Sequence, residues 1–554
     1  MSKFKQFQHP YDPDPKFMKR VVYFSMEYAI HQPFKIYSGG LGFLAGSHMR
    51  SAYDQKQNMI GIGILWKYGY YDQVRRGDQS MDSLFQEKVY SFLQDTGIKF
   101  EITINGHTVW VKAWYLHPKT FNTVPMFFLT TDIPENDYLA QTISHKLYDA
   151  QTETRVAQEI LLGIGGAKLC DIIEFNPEIY HLNEAHALPC AFYLYQKHKS
   201  LEKVKKLLVF TTHTPEEAGN EKHDIRFLEK MGFFAGVPLE EVRKITGHIK
   251  EDIFNLSLGA LRLSHVANGV SKLHGEVARE MWKSYDNICP IISITNAQNK
   301  KYWADKQLYA ALEKGDDQAL IERKQFLKEL LFEVVADQTG KLFDTNVLTI
   351  VWARRFAAYK RADLLIRDES RFERLIRNTK YPVQIIWAGK PYPMDYGAVS
   401  VFNNLVHISK RYSNMAVLVG YELQLSKRLK QGADVWLNTP RVPREASGTS
   451  GMTAAMNGAV NFSTYDGWIR EFAKHGVNSF IIPLADPTVP IHEQDASDLV
   501  GLYDVLETEI LPTYYERKDK WLNIIKQSMT DILPYFDSDR MAFQYYEKLY
   551  EYGS

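Results

Sequence analysis

Residues able to hold an anion or a polyhydroxylated ligand concentrate in a few short stretches of this chain. Arg354-Arg355-Phe356-Ala357-Ala358-Tyr359-Lys360-Arg361 follows directly on the apolar run L-T-I-V-W-A. Cations at a strand's carboxyl end lie where open α/β sheets bind ligands, and the planar Arg fork with the Lys point charge suits a dianion such as phosphate. Gly389-Lys390-Pro391 follows Q-I-I-W-A and repeats the pattern. Two glycine-rich turns, Tyr37-Ser38-Gly39-Gly40-Leu41-Gly42 and Gly448-Thr449-Ser450-Gly451, each stand where a strand gives way to a helix. Bare backbone there can approach an anion closely, and the N–H groups at a helix start attract it. A facing pair of such turns could grip a phosphate or diphosphate from both sides.

Two histidines sit beyond strand-like runs, His186 in Asn183-Glu184-Ala185-His186 and His213 in Thr211-Thr212-His213-Thr214-Pro215. Either can touch a substrate or serve as an ordinary packed histidine. Glu445 can accept hydrogen bonds from sugar hydroxyls or cap the helix that Gly448 opens. Spacing singles out no pair of carboxylates for a double-displacement glycosidase. Walker A, H-E-x-x-H, G-x-S-x-G and metal-ligand patterns are all missing from the sequence, so no metal is expected.

The elements that must position these residues read as short apolar strands alternating with amphipathic helices. The strands are expected at Val21–Met26, Met59–Trp66, Leu207–Thr212, Val347–Ala353, Val383–Ala388, Ala416–Gly420, Ala459–Ser463 and Asn478–Pro483. Buried strands interleaved with helices predict an α/β protein with largely parallel, doubly wound sheets. The alternating segment 98–113 contains Asn105-Gly106 and predicts a β-hairpin inserted in the first lobe. Residues 302–342 read as charged helix, which places the lobe connection nearby. The expected division is an N-terminal arm (1–17), a first lobe (18–300), a second lobe (301–502) and C-terminal helices (503–554) packing back on the first lobe.

Composition bounds the function. With 554 residues the chain exceeds one core. Lys+Arg and Asp+Glu are both 66, so no global field recruits nucleic acid or an anionic membrane, and any anion site must be built locally. The 13% aromatic content suits sugar stacking as well as ordinary cores. Three cysteines without a C-x-x-C pair point to a reducing compartment. No apolar run approaches a membrane span or a signal h-region, so the chain reads as soluble and cytoplasmic.

Taken in order, the stretches Y-F-S-M-E-Y, Y-S-G-G-L-G-F-L-A-G, G-I-G-I-L-W-K-Y-G-Y-Y-D-Q, Y-H-L-N-E-A-H-A, F-T-T-H-T-P, S-I-T-N, A-R-R-F-A-A-Y-K-R, W-A-G-K-P and W-L-N-T-P-R-V-P-R-E-A-S-G-T-S-G-M resemble the α-glucan (glycogen) phosphorylases, especially their compact bacterial and archaeal branch. The resemblance covers about Val21 to Leu484. It implies two Rossmann-like lobes in the GT-B arrangement with the active site between them, and reversible phosphorolysis of α-1,4-glucan to glucose 1-phosphate. By position, the phosphate ligands fall on Arg355 and Lys360. The sugar ligands fall on Glu445, Ser447 and Gly448, the histidine against the reacting glucosyl unit on His213, and the S-I-T-N asparagine on Asn296. Gly40 and Thr449 match residues around the cofactor phosphate, and Gly39, His186 and Lys390 complete the expected substrate contacts.

One departure stands out within the resemblance. The lysine that holds pyridoxal phosphate as a Schiff base in that family corresponds here to Thr453, and a hydroxyl cannot form an imine with an aldehyde. Pyridoxal phosphate would then be held without a covalent bond. Two other readings stay open: a pyridoxal-independent retaining transferase using ADP- or UDP-glucose, and a glucan-binding protein without catalysis. The expected partners are an α-glucan or maltooligosaccharide with inorganic phosphate or a sugar nucleotide. The sequence leaves the oligomeric state open, a homo-oligomer included.

Overall fold

A computed structural model describes residues 4–553 of the chain. It divides into two compact units: residues 1–71, 85–296 and 538–554 form unit 1, and residues 72–84 with 297–537 form unit 2. The first three residues of the expected N-terminal arm lie outside the described residues.

Unit 1 is built on nine strands: β1 (Val21–Phe24), β2 (Met59–Ile64), β3 (Gln94–Ile104), β4 (His107–Leu116), β5 (Met126–Thr130), β6 (Ile179–Asn183), β7 (Leu208–Thr211), β8 (Val266–Gly269) and β9 (Ile291–Ser293). Their order across the sheet is β9-β8-β7-β6-β1-β2-β5-β4-β3. All pairs from β9 to β5 are parallel, and β5-β4 and β4-β3 are antiparallel. The parallel strands are buried on both faces, which is why β1 and β2 read as continuous apolar runs rather than alternating ones. The hairpin expected at Asn105-Gly106 is present, with both residues at positive φ (50° and 75°). It is an edge of the main sheet rather than an inserted module, because β4 pairs with β5.

Helix α1 (Gly40–Asp54) packs against the segment leaving β1. That approach needs a bare backbone: a Cβ on Gly46 would lie 2.0 Å from the Ala29 carbonyl oxygen. The described part of the arm lies on unit 1, where Phe7 N–H donates to the Ile173 carbonyl (2.9 Å) and Tyr11 Oη to the Gln57 carbonyl (2.8 Å).

Unit 2 carries six parallel strands: β10 (Leu348–Ala353), β11 (Val383–Ala388), β12 (Met415–Leu418), β13 (Val435–Asn438), β14 (Val460–Ser463) and β15 (Ser479–Ile481). Their order is β12-β11-β10-β13-β14-β15. Counted along the chain this is 3-2-1-4-5-6, the doubly wound arrangement expected from the interleaved apolar runs. Helices α2 (Asp317–Thr339) and α3 (Leu423–Gly432) cover one face. Leu331, Val335, Leu425 and Leu429 join Val351, Ile386 and Trp436 in one buried core. Each such aliphatic side chain contributes roughly 1.5–3 kcal/mol by burial.

Two boundaries differ from the sequence expectation. Residues 503–537 belong to unit 2, and only 538–553 pack on unit 1. There Ser538 Oγ lies 2.6 Å from Ser51 Oγ, and Tyr550 Oη lies 2.7 Å from His181 Nδ1. The second difference is the ribbon 72–84, which sits in the first lobe's sequence but joins unit 2, where Gln73 Nε2 donates to the Gly389 carbonyl (2.9 Å). Amphipathicity shows that such segments are buried on one face without showing against which core.

Candidate functional site

In unit 1 the strand order reverses between β1 and β6, and in open α/β sheets that switch point is where ligands bind. The residues leaving these two strands are joined there. Asn183, the last residue of β6, donates from Nδ2 to Ser25 Oγ beyond β1 (3.2 Å) and accepts at Oδ1 from His213 Nε2 (2.7 Å). Because the amide nitrogen is the donor to Ser25, the oxygen must accept, so His213 carries its proton on Nε2 and keeps Nδ1 as an acceptor. Burial, with His274 and His186 nearby, pushes the His213 pKa down to about 3, and burial takes His186 to about 4. Both imidazoles are neutral at physiological pH and can exchange hydrogen bonds with hydroxyl groups. The ring of His186 lies 6.0 Å from that of Tyr148.

The first glycine turn does not present Gly39 to an outside anion. Glu27 accepts the N–H groups of Ser38 (2.6 Å) and Gly39 (3.0 Å) on Oε2, and Tyr148 Oη donates to its Oε1 (2.8 Å). The protein's own carboxylate therefore takes Gly39's N–H, and the sequence, read without a fold, could not bring Glu27 back to the turn. Around Gly39 and Gly40 the space is open, since a Cβ on either would meet nothing within 4 Å. Asn296 follows β9, and its N–H donates to the Val270 carbonyl (2.9 Å). Its Oδ1 is buried without a partner among the described residues.

In unit 2 the switch point lies between β10 and β13. Arg354, the first residue past β10, donates from Nη1 to Asn438 Oδ1 at the end of β13 and from Nη2 to Ser450 Oγ (3.3 Å). It is 4% exposed, whereas Arg355 beside it is exposed.

Lys360 Nζ lies 3.1 Å from Glu445 Oε2, with both side chains largely buried. The backbone N–H of Glu445 donates to Asp466 Oδ2 (2.8 Å). Burial, with Glu445 close by, pushes the Asp466 pKa up to about 7. Gly448, at φ 84°, lets the chain double back: a Cβ there would lie 3.2 Å from Glu445 Cγ. The turn then runs through Thr449 into α4 (Ser450–Ala455). Thr453 is 1% exposed and its Oγ1 donates to the Ser450 carbonyl (3.0 Å), back onto its own helix.

Within unit 2 the structure brings Lys360, Glu445 and Gly448 together, with Ser447 and Thr449 flanking Gly448 and Arg355 exposed on the loop after β10. Lys390 is set apart from them in a buried ion pair with Glu422 (2.9 Å). Within unit 1 it gathers His186, His213 and the Gly39-Gly40 turn. Motif reading quoted Arg354 and Asn183 within their stretches without giving either a role of its own, and passed over Asn438 and Asp466. A signal for the two asparagines was available: each closes an apolar strand as Leu-Asn, in Y-H-L-N and V-W-L-N.

Comparison with known proteins agrees with this geometry. A family model described as carbohydrate phosphorylase matches residues 291–482. Maltodextrin phosphorylase of Thermococcus litoralis is 33% identical, over 98% of this chain and 73% of its own length. Glycogen phosphorylase of Mycobacterium tuberculosis is 30% identical, over 96% of this chain and 70% of its own. An uncharacterized protein of Methanocaldococcus jannaschii is 47% identical, over 96% of this chain and 100% of its own. Two largely parallel sheets consistent with the GT-B fold, together with similarity along almost the whole sequence, show that the chain belongs to the carbohydrate phosphorylase family.

Proposed function

We propose that this protein is an α-1,4-glucan phosphorylase-type hexosyltransferase, which transfers a terminal glucosyl unit from glycogen or maltodextrin to inorganic phosphate and back. The observation that carries the reading is the cationic loop after β10, with Lys360 held on Glu445 beside the Gly448-Thr449 turn and Arg355 exposed. The Lys360 ammonium has three protons and spends one on Glu445, so it can still donate to a phosphate oxygen. Arg355 adds a fork for the same dianion. Glu445, Ser447 and Gly448 offer acceptors and backbone to sugar hydroxyls, and in unit 1 His213 Nδ1 does the same, with His186 and Asn296 as further polar contacts.

In phosphorolysis a phosphate oxygen replaces the glucan oxygen at the anomeric carbon, and a proton passes to the departing 4-hydroxyl. The products are glucose 1-phosphate and a glucan one unit shorter. Positive charge develops on the sugar ring in the transition state, and a phosphate dianion fixed by Arg355 and Lys360 stabilises it.

Pyridoxal phosphate is the cofactor that the resemblance implies. The residues present suit its phosphate: Arg354 Nε and Ser447 Oγ are buried without partners among the described residues, beside Ser450 and Thr449. They do not suit a covalent tether on α4, because Thr453 has no amine and its hydroxyl is engaged with Ser450. In this reading the cofactor is held by contacts alone, at lower affinity than a tether would give. When bound it supplies a phosphate able to exchange a proton with the substrate phosphate.

The same lack of an amine favours a second reading, in which a sugar nucleotide's diphosphate takes the place of the two phosphates. Calorimetric titration of the purified protein with pyridoxal phosphate, and separately with ADP- and UDP-glucose, tests the choice. Saturable pyridoxal phosphate binding that stimulates phosphorolysis is the expected result. Tight sugar-nucleotide binding with no effect of pyridoxal phosphate overturns it.

A further inference from the structure

Glu184 lies between the two histidines at the unit 1 switch point, in a backbone conformation that glycine normally occupies. Its φ is 67° and its ψ 173°, a region where a Cβ is strained. Non-glycine residues persist there only where the surroundings over-determine them. What holds Glu184 is its carboxyl group: Oε1 accepts the backbone N–H of His213 and the hydroxyl of Thr214 (3.3 Å). The Glu184 N–H meanwhile donates to the Thr211 carbonyl at the end of β7 (2.9 Å). One residue thus binds both ends of the T-H-T turn, while Asn183 next to it fixes the His213 ring. From the far side His274 closes the turn, with Nε2 3.1 Å from the Thr214 carbonyl oxygen.

We propose that Glu184 is a positioning residue for His213, tying the Thr212–Thr214 turn to the end of β6 so that the His213 ring is presented in one orientation to the sugar. The backbone strain at Glu184 is tolerated because only this conformation carries the carboxyl to the His213 amide. Burial also pushes the Glu184 pKa up to about 7, against the opposing pull of the His213 and Ala185 N–H groups and the Thr214 hydroxyl. The titratable and charged groups around it are His186 on its own turn, His213 on the neighbouring loop, His274 in the first turn of the helix Lys272–Trp282, and Arg155 and Glu221 beside His186. The three histidines are held neutral by burial at this pH, so within this cluster Glu184 is the group that changes protonation near pH 7.

The kinetic part of this inference rests on the sugar-binding reading of His213; the structural part does not. Three variants separate them: Glu184→Ala removes the tie, Glu184→Gln keeps an acceptor without the charge, and Glu184→Gly removes the tie and relieves the strain. Hydrogen exchange at the His213 and Thr214 amides is measured in each, together with the KM for maltoheptaose in phosphorolysis. In Glu184→Ala and Glu184→Gly these amides should exchange about tenfold faster or more, as expected for a lost hydrogen bond to a carboxyl group. Glu184→Gln should stay close to the wild type in exchange and lose the change in KM near pH 7.

If activity is present, KM should rise in the Ala and Gly variants with kcat less affected, although Glu184→Gly should melt higher than Glu184→Ala. Unchanged exchange in Glu184→Ala overturns the proposal, as does recovery of wild-type KM in Glu184→Gly, which would mean that Glu184 acts through stability alone. Faster exchange in a protein that shows no phosphorolysis would leave the positioning role standing and remove the glucan reading.

Discussion

At the unit 1 switch point Asn183 joins neutral partners, a serine hydroxyl beyond β1 and a neutral imidazole beyond β7. At the unit 2 switch point Asn438 occupies the equivalent strand end and receives a buried guanidinium, Arg354. Both sheets are doubly wound, and each places an asparagine on the strand that follows the reversal. What differs is the run that leaves the first strand, Ser25-Met26-Glu27 in one unit and Arg354-Arg355 in the other. The same topology therefore yields a strand end joined by neutral hydrogen bonds in unit 1 and one that holds a buried cation in unit 2. The two strand ends thus differ in the charge they hold without differing in architecture.

Four tests can break or sharpen that contrast. The largest effect is expected from Arg355→Ala, which should lower phosphorolysis about 10²–10³-fold with the melting temperature nearly unchanged, because the side chain is exposed. Steady-state rates with thermal denaturation check it, and near-normal turnover removes Arg355 from the phosphate site. Next comes a matched pair. Asn438→Ala leaves the buried Arg354 without its strand-end acceptor and should cost about 3 kcal/mol in urea unfolding. Asn183→Ala, which strands only neutral groups, should cost about 1 kcal/mol. Equal losses would mean that the two switch points do not differ in the charge they hold.

The third test uses pH. The folded chain holds a proton on Asp466 up to about pH 7, while the unfolded chain releases it near 3.8. Between those values the folded state binds more protons, so this group makes stability fall as pH rises. Asp466→Asn should flatten that fall by a few kcal/mol at most, on the order expected for a shift of about three units. An unchanged slope of unfolding free energy against pH would exclude Asp466 as its source. The smallest effect is expected at Thr453→Val, about 1 kcal/mol or less, since the hydroxyl lost is bonded only within its own turn. Its companion Thr453→Lys tests the pocket, with a new absorbance on adding pyridoxal phosphate as the expected result.

Much of this was legible from the sequence, for identifiable reasons. Strands buried on both faces leave uninterrupted apolar runs, so β10 and β11 could be located within a residue. Gly448 marks a place where the chain doubles back on itself, and it stands in a glycine-rich turn that the sequence shows. The ownership of 72–84 and of 503–537 was hidden, because a half-buried face does not say which core it meets. The division of labour between Arg354 and Arg355 was hidden as well, since only the direction of each side chain at the strand end separates them. Glu27 closing on the Ser38-Gly39 turn depends on a contact between segments that share no pattern. Glu184 and Asp466 act through backbone N–H groups, which leave no trace in residue spacing.

The most direct test of the central claim follows the product. Purified protein incubated with maltoheptaose and inorganic phosphate, with and without added pyridoxal phosphate, should release glucose 1-phosphate together with maltohexaose. Its formation should rise on adding the cofactor and fall about 10²–10³-fold in Arg355→Ala. No glucose 1-phosphate under either condition, with chain elongation from ADP- or UDP-glucose instead, would contradict the account.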